Sequence, residues 1–338
     1  MPHQLPVDCL NDIFECLEDK KTLRSCLLVN RLWCEVSVRI LWTNIQNYNT
    51  LISCLPNESK EILYKKEIII STSTSKPPLF NYVVFIKTLS LFKMAKYLPK
   101  IYSSSSSPGF DKNKNMIVAY EVFKMIMNQA TLKKFDTSYY NLDPIHYLNT
   151  SFITYPGAMD CLRNLSELDT ETTFEWFHQL SQICQNIQSL KVFIGIKISD
   201  GLSDLISNQQ NLKYLRISNY NHEDFTYITP SLIKISNTLI KLVISGGCRH
   251  LSFIAKFTNL QELDLSFNNF LNVDNFGSFE KLQHITFSRL QILKFKRLCP
   301  NDEHLIRFLE INGKNLIEIY LADASNLLNL AIAKFVQI

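Results

Sequence analysis

The sequence predicts an α/β chain: a short N-terminal block of three helices, then a curved solenoid with parallel strands on the concave face and helices on the convex face. Three observations carry this. Residues 1–45 place apolar side chains at helical spacings. From residue 119 onward, short strings of one pattern recur to the end of the sequence. The chain has 338 residues, longer than one compact core usually grows, and an elongated repeat accommodates that length.

The first helix is "LPVDCLNDIFECL", Leu5 to Leu17. Leu10, Ile13, Phe14 and Leu17 recur at steps of three and four and share one face. The polar turn "EDKKT" follows, with Thr22 as the expected N-cap of a second helix carrying Leu23, Cys26 and Leu27. A third helix runs through "VNRLWCEVSVRILW", with Leu32, Trp33, Val36, Ile40 and Leu41 in phase.

Residues 46–118 read as a linker with irregular first repeats. "KEIIIST" (66–72) and "FIKTLSL" (85–91) are strand-like. "STSTSKPP" and "SSSSSPGFDKNKN" are low-complexity loops that cannot bury apolar surface. "KEILYKK" (60–66) reads as a solvated face.

Residues 119–338 hold the strings "TLKKFDTS", "NLSELDTE", "NIQSLKVF", "NLKYLRIS", "TLIKLVIS", "NLQELDLS", "RLQILKFK" and "NLIEIYLA". Their leading apolar residues are Leu132, Leu165, Ile187, Leu212, Leu239, Leu260, Leu290 and Leu316, spaced by 21 to 33 residues. Most of these gaps lie in the range of leucine-rich repeats, each a strand plus a helix. "KLQHITFS" also fits the pattern but lies too close to "RLQILKFK" to hold a repeat of its own, so the second is the expected strand. Stretches at 173–184, 200–210 and 302–313 are the clearest helices between strings, with Asp200 and Asp302 as expected N-caps. The recurrent Asn164, Asn186, Asn211, Asn259 and Asn315 are expected to take the left-handed conformation that ends a helix. The last stretch, "SNLLNLAIAKFVQI", reads as a repeat helix with no strand after it, either a cap or the edge of a shortened solenoid.

In such strands the leucines point inward and the alternating positions point to the concave face. That places Tyr214, Arg216, Lys241, Glu262, Asp264, Lys294, Lys296, Glu318 and Tyr320 on one surface. Mixed charge with tyrosine suits a protein partner, whereas a phosphate track would be uniformly basic.

Composition narrows the class further. The net charge of +4 is small against 35 basic and 31 acidic residues, so nucleic acid is not expected. Nine cysteines, an odd number without a CxxC pair, point to reduced thiols and a cytoplasmic or nuclear protein. Neither a signal peptide nor a membrane span is read. No phosphate loop, HExxH or GxSxG motif is present. "SGGCRH" sets Cys248 beside His250, a possible thiol-imidazole pair, but a filler thiol in a loop accounts for it more simply. His178 is expected on a helix surface. No catalytic residue, cofactor or metal site is expected.

The helical block resembles the F-box. The residues that carry this are Leu5-Pro6, Asp8, the Leu10, Ile13 and Leu17 pattern, the Val29 to Trp33 step, and Leu41-Trp42. The resemblance covers residues 5–45 and departs at Cys9, Cys16 and Cys26, where larger aliphatic residues are common. It implies docking onto the Skp adaptor of an SCF ubiquitin ligase, and through it onto cullin and RING subunits. The following repeats would then select a protein substrate. Carried over by position, Leu5, Pro6, Leu10, Ile13, Val29 and Trp33 are the implied adaptor contacts. For Leu10 and Ile13, packing within the helical trio is the competing role. A repeat scaffold, or a decayed F-box copy without ligase output, is the alternative function.

Overall fold

A computed structural model describes residues 5–17, 19–68, 78–102, 112–138, 152–171, 176–194, 200–219, 227–246, 251–266 and 279–336. The chain forms two compact units, Met1–Asn164 and Leu165–Ile338.

Unit 1 begins with α1 (Val7–Glu15), α2 (Lys20–Cys26) and α3 (Arg31–Leu41). Leu10, Phe14, Leu23, Cys26, Val36, Val38, Leu41 and Trp42 form their shared core. Phe14 meets the Trp33 ring edge-on at 5.0 Å. The cap of α2 differs from expectation. Asp19 is the N-cap, accepting from the Lys21 and Thr22 N–H groups, and Thr22 lies inside the helix. These bonds to the charged form, Lys21 first, hold the Asp19 carboxyl below its ordinary range. A carboxylate simply outcompetes the hydroxyl three residues later for the free N–H groups.

Then come α4 (Tyr48–Ser53), α5 (Asn57–Lys65), β1 (Thr88–Ser90), α6 (Leu91–Tyr97), α7 (Pro99–Tyr102), α8 (Lys112–Gln129), β2 (Lys134–Asp136) and α9 (Ala158–Leu162). "KEILYKK" lies mostly in α5 and its C-cap. Of "KEIIIST", residues 66–68 close that helix without a strand, and 69–72 lie outside the described residues. β1 and β2 pair in parallel, Leu89 opposite Phe135. The helical trio is tied into this unit. Trp42 packs on Tyr82 at 4.3 Å, and the Thr43 carbonyl accepts from both the Lys87 and Thr88 N–H groups at 2.9 Å. The expected boundary at 118–119 falls within α8.

Unit 2 holds β3 (Glu167–Glu171), α10 (Phe177–Ile183), β4 (Ser189–Ile194), α11 (Asp200–Ser207), β5 (Tyr214–Asn219), α12 (Thr229–Lys234), β6 (Lys241–Gly246), β7 (Glu262–Ser266), β8 (Ile292–Phe295), α13 (Asp302–Asn312), β9 (Glu318–Leu321) and α14 (Asn326–Phe335). Each strand of β3–β9 pairs in parallel with the next. Every repeated string from "TLKKFDTS" to "NLIEIYLA" thus contains a strand, and "KLQHITFS" contains none. Register stacks Leu168, Leu190, Leu215, Leu242, Leu263 and Leu293 into one buried row. The leading residues Leu165, Ile187, Leu212, Leu239, Leu260, Leu290 and Leu316 are buried as well. Burying each such side chain is worth about 1.5–3 kcal/mol, which is why the period is so visible in the sequence.

The recurrent asparagines do another job than expected. Among the described residues, Glu67 is the one non-glycine with positive φ, so none of these asparagines is left-handed. Their amides bridge repeats: Asn211 donates to Asn186 Oδ1 at 3.4 Å, and Asn259 to the Asn237 carbonyl. Two buried amides do the same more tightly. Gln209 accepts from the Ile187 N–H and donates to the Cys184 and Leu205 carbonyls at 2.7–2.8 Å. Asn312 accepts from the Phe287 N–H at 2.7 Å and donates to the Ile285 and Phe308 carbonyls. Both amides join the end of a helix to the turn of the repeat before it.

Asp200 opens α11, while α13 is capped by Asn301, one residue before Asp302. Gly246 closes β6 at φ 96°, and a Cβ there would collide with the Asn219 carbonyl. α14 is capped by Ser325 and leaves Leu327 and Leu330 exposed.

Candidate binding surfaces

The helical trio divides its apolar residues into two sets. Leu10 is 1% exposed and belongs to the core, so it does not present the adaptor contact implied for it. The reason is rotational: Leu10 and Phe14 are one turn apart and point at α3, while Ile13 is rotated outward. Leu5, Ile13 and Val29 are 51%, 48% and 55% exposed, and Pro6 is exposed too. Trp33 is partly buried, with its ring on Phe14. Two further apolar residues are exposed here, Val7 and Leu28, the latter at 90%. Helical spacing does not pick out Leu28, because it lies between the two helices. It sits in the turn between Cys26, the end of α2, and Asn30, the N-cap of α3. An apolar residue in so short a turn is itself the signal.

The F-box-like family model matches residues 3–47. F-box domains generally bind Skp-type adaptors. The match spans α1–α3 and the extended residues that meet Thr88, so the exposed apolar set lies on an F-box-like domain. A search of curated proteins finds no match to the chain.

The second surface is the open face of the sheet in unit 2, on the side away from the buried leucine row. All the strand residues expected there occupy alternate positions of β5–β9, and Lys296 follows β8 directly. They are largely paired with one another. Lys241 meets Glu262 at 2.8 Å and its ammonium lies 5.4 Å from the Tyr214 ring centroid. Lys294 meets Glu318 at 2.8 Å and Glu262 at 3.8 Å. The bond to Glu318, with Glu262 and Asp264 adding, holds the Lys294 ammonium above its ordinary range. Asp264 is 3% exposed and bonded through Oδ2 to Lys296 at 2.6 Å. It therefore corrects the expectation: a short carboxylate covered by a longer lysine presents no contact of its own. Arg216, Lys296, Glu318 and Tyr320 are the exposed members.

Other sites carry little chemistry. A cavity of about 600 Å³ in unit 1 is walled by Ile45, Gln46, Asn47, Tyr48, Asn49, Lys93, Tyr97, Lys100 and Ile101, with no carboxylate, imidazole or thiol among them. His178 is exposed on α10 and pairs with Asp204 at 2.8 Å. Cys248 and His250 lie outside the described residues. Among the described residues, no three metal-ligating side chains cluster, and no helix is long and apolar enough to cross a membrane.

Proposed function

We propose that this protein is the substrate-recognition subunit of a cullin-based SCF ubiquitin ligase. The F-box-like helices dock a Skp adaptor, and through it cullin and RING subunits. The open face of the repeat unit holds a protein substrate. The protein performs no chemistry itself and acts by proximity. The observation that carries this reading is the F-box-like match at residues 3–47, coincident with exposed Leu5, Val7, Ile13, Leu28 and Val29. A docked adaptor would cover these exposed apolar side chains.

Affinity purification with the ligase core inactivated tests the reading, because substrates then accumulate on the receptor. At least one bound protein is expected to gain half-life when the receptor is removed from cells. If every bound protein keeps its half-life, the chain has no ligase output and is a scaffold.

A further inference from the structure

In unit 2 one backbone device joins the repeats. The residue after each leading apolar side chain offers its carbonyl to two consecutive N–H groups of the next repeat. The Ser166 carbonyl accepts from Gln188 and Ser189, that of Gln188 from Lys213 and Tyr214, and that of Lys213 from Ile240 and Lys241. The Ile240, Gln261 and Gln291 carbonyls continue the series, with all bonds at 2.8–3.2 Å, and the last accepts from Ile317 and Glu318. Next in line is the Ile317 carbonyl, and no N–H of the described residues reaches it.

The side chains stop at the same rung. Counted from the leading residue, the fourth position of each string from Leu168 to Leu293 is at most 1% exposed, and the sixth from Thr170 to Phe295 at most 2%. On one side, each of these is covered by the strand that follows. In β9, Ile319 and Leu321 hold the same two places and are only partly buried. Ile317 is 63% exposed, at a position that is polar in every preceding string of the unit but one. In the helix layer, Leu327 and Leu330 are exposed beside the buried Leu328 and Ala331. β9 has neither proline nor lysine to blunt its edge, and its one charge, Glu318, is paired with Lys294.

We infer that the outer edge of β9 accepts a further strand from a partner protein. The occupant is an extended segment reading apolar-x-x-apolar-x-apolar, laid parallel to β9, with its second and third N–H groups on the Ile317 carbonyl. The rungs before it dictate this pattern, since the strands that meet the equivalent carbonyls carry it. Strand addition draws affinity from main-chain bonds and specificity from alternate side chains. A second copy of the chain does not reproduce the rung: β9 against β9 about a two-fold axis runs antiparallel, whereas the series is parallel. The inference depends on neither the adaptor nor the open face.

The test uses the full chain and fluorescent degenerate peptides, with binding read by polarisation. One pool fixes leucine at the first, fourth and sixth positions. A second scrambles those positions, and a third keeps them but carries N-methyl groups on the second and third residues. The patterned pool is expected to bind at least tenfold more tightly than the scrambled one and to slow hydrogen exchange of the β9 amides. N-methylation removes the donors to the Ile317 carbonyl and should cost about tenfold. Leu321→Lys should weaken binding at least tenfold, with thermal melting as the check on folding, while Arg216→Ala on the open face should leave it unchanged. Equal binding of the patterned and scrambled pools, or of the patterned and N-methylated pools, overturns the inference whatever the variants do. So does failure of every pool to bind. Self-association of the chain that Leu321→Lys abolishes, without binding of the patterned pool, assigns the edge to a second copy and overturns the partner.

Discussion

At the residue scale, the F-box-like domain turns on one division of labour. Leu10 and Ile13 sit on the same apolar stripe, yet the first is buried and the second half exposed. Spacing identifies the stripe but not its inner edge, because that edge depends on where α3 crosses α1. Leu10→Ala is expected to destabilise unit 1 by about 2–5 kcal/mol in denaturant unfolding, the usual cost of a buried leucine. Ile13→Ala should change stability far less. Cys161 gives a second check. Burial pushes its thiol up to about 12 from an ordinary 9.0. It should therefore resist alkylation at neutral pH, while the exposed Cys9 and Cys16 react. The sign for stability follows. Cys161 contributes fully below about pH 9, and its contribution is lost as pH rises from 9 toward 12 and the unfolded thiol ionises first. Unfolding curves at pH 8 and pH 10.5 measure this, compared with Cys161→Ala.

At the element scale, the strands were legible because each leads with an apolar residue that repeats and is buried. "RLQILKFK" is a strand, and "KLQHITFS" is a turn leading into it. The caps and bridges were harder to read. Asparagine suits a left-handed helix end, a cap and an amide bridge equally, and only the contact decides among them. The two buried amides carry the sharpest expectation here. Gln209→Leu or Asn312→Leu keeps the volume but removes the acceptor of a buried N–H and one donor to each of two carbonyls. Each is expected to cost about 1–3 kcal/mol, measured by urea unfolding. Asn211→Ala, at an exposed bridge, should cost little. The open-face charges show the same limit. Their placement on one side follows from alternation, but which lysine meets which carboxylate depends on inter-strand register. The burial of Asp264 against Lys296 is a fact of that kind.

At the scale of the whole molecule, the account joins two surfaces with separate tasks. Under the proposed function, the exposed apolar set of the F-box-like domain meets the adaptor and the sheet face of unit 2 meets a substrate. The direct test is the affinity of the purified chain for a purified Skp adaptor, measured by calorimetry. Wild type is expected to bind one adaptor per chain. Leu5→Ala/Pro6→Ala and Leu28→Glu should each weaken binding at least tenfold with unchanged thermal melting, since these residues are already exposed. A wild-type chain that fails to bind the adaptor, or variants that bind as tightly as wild type, would contradict the account.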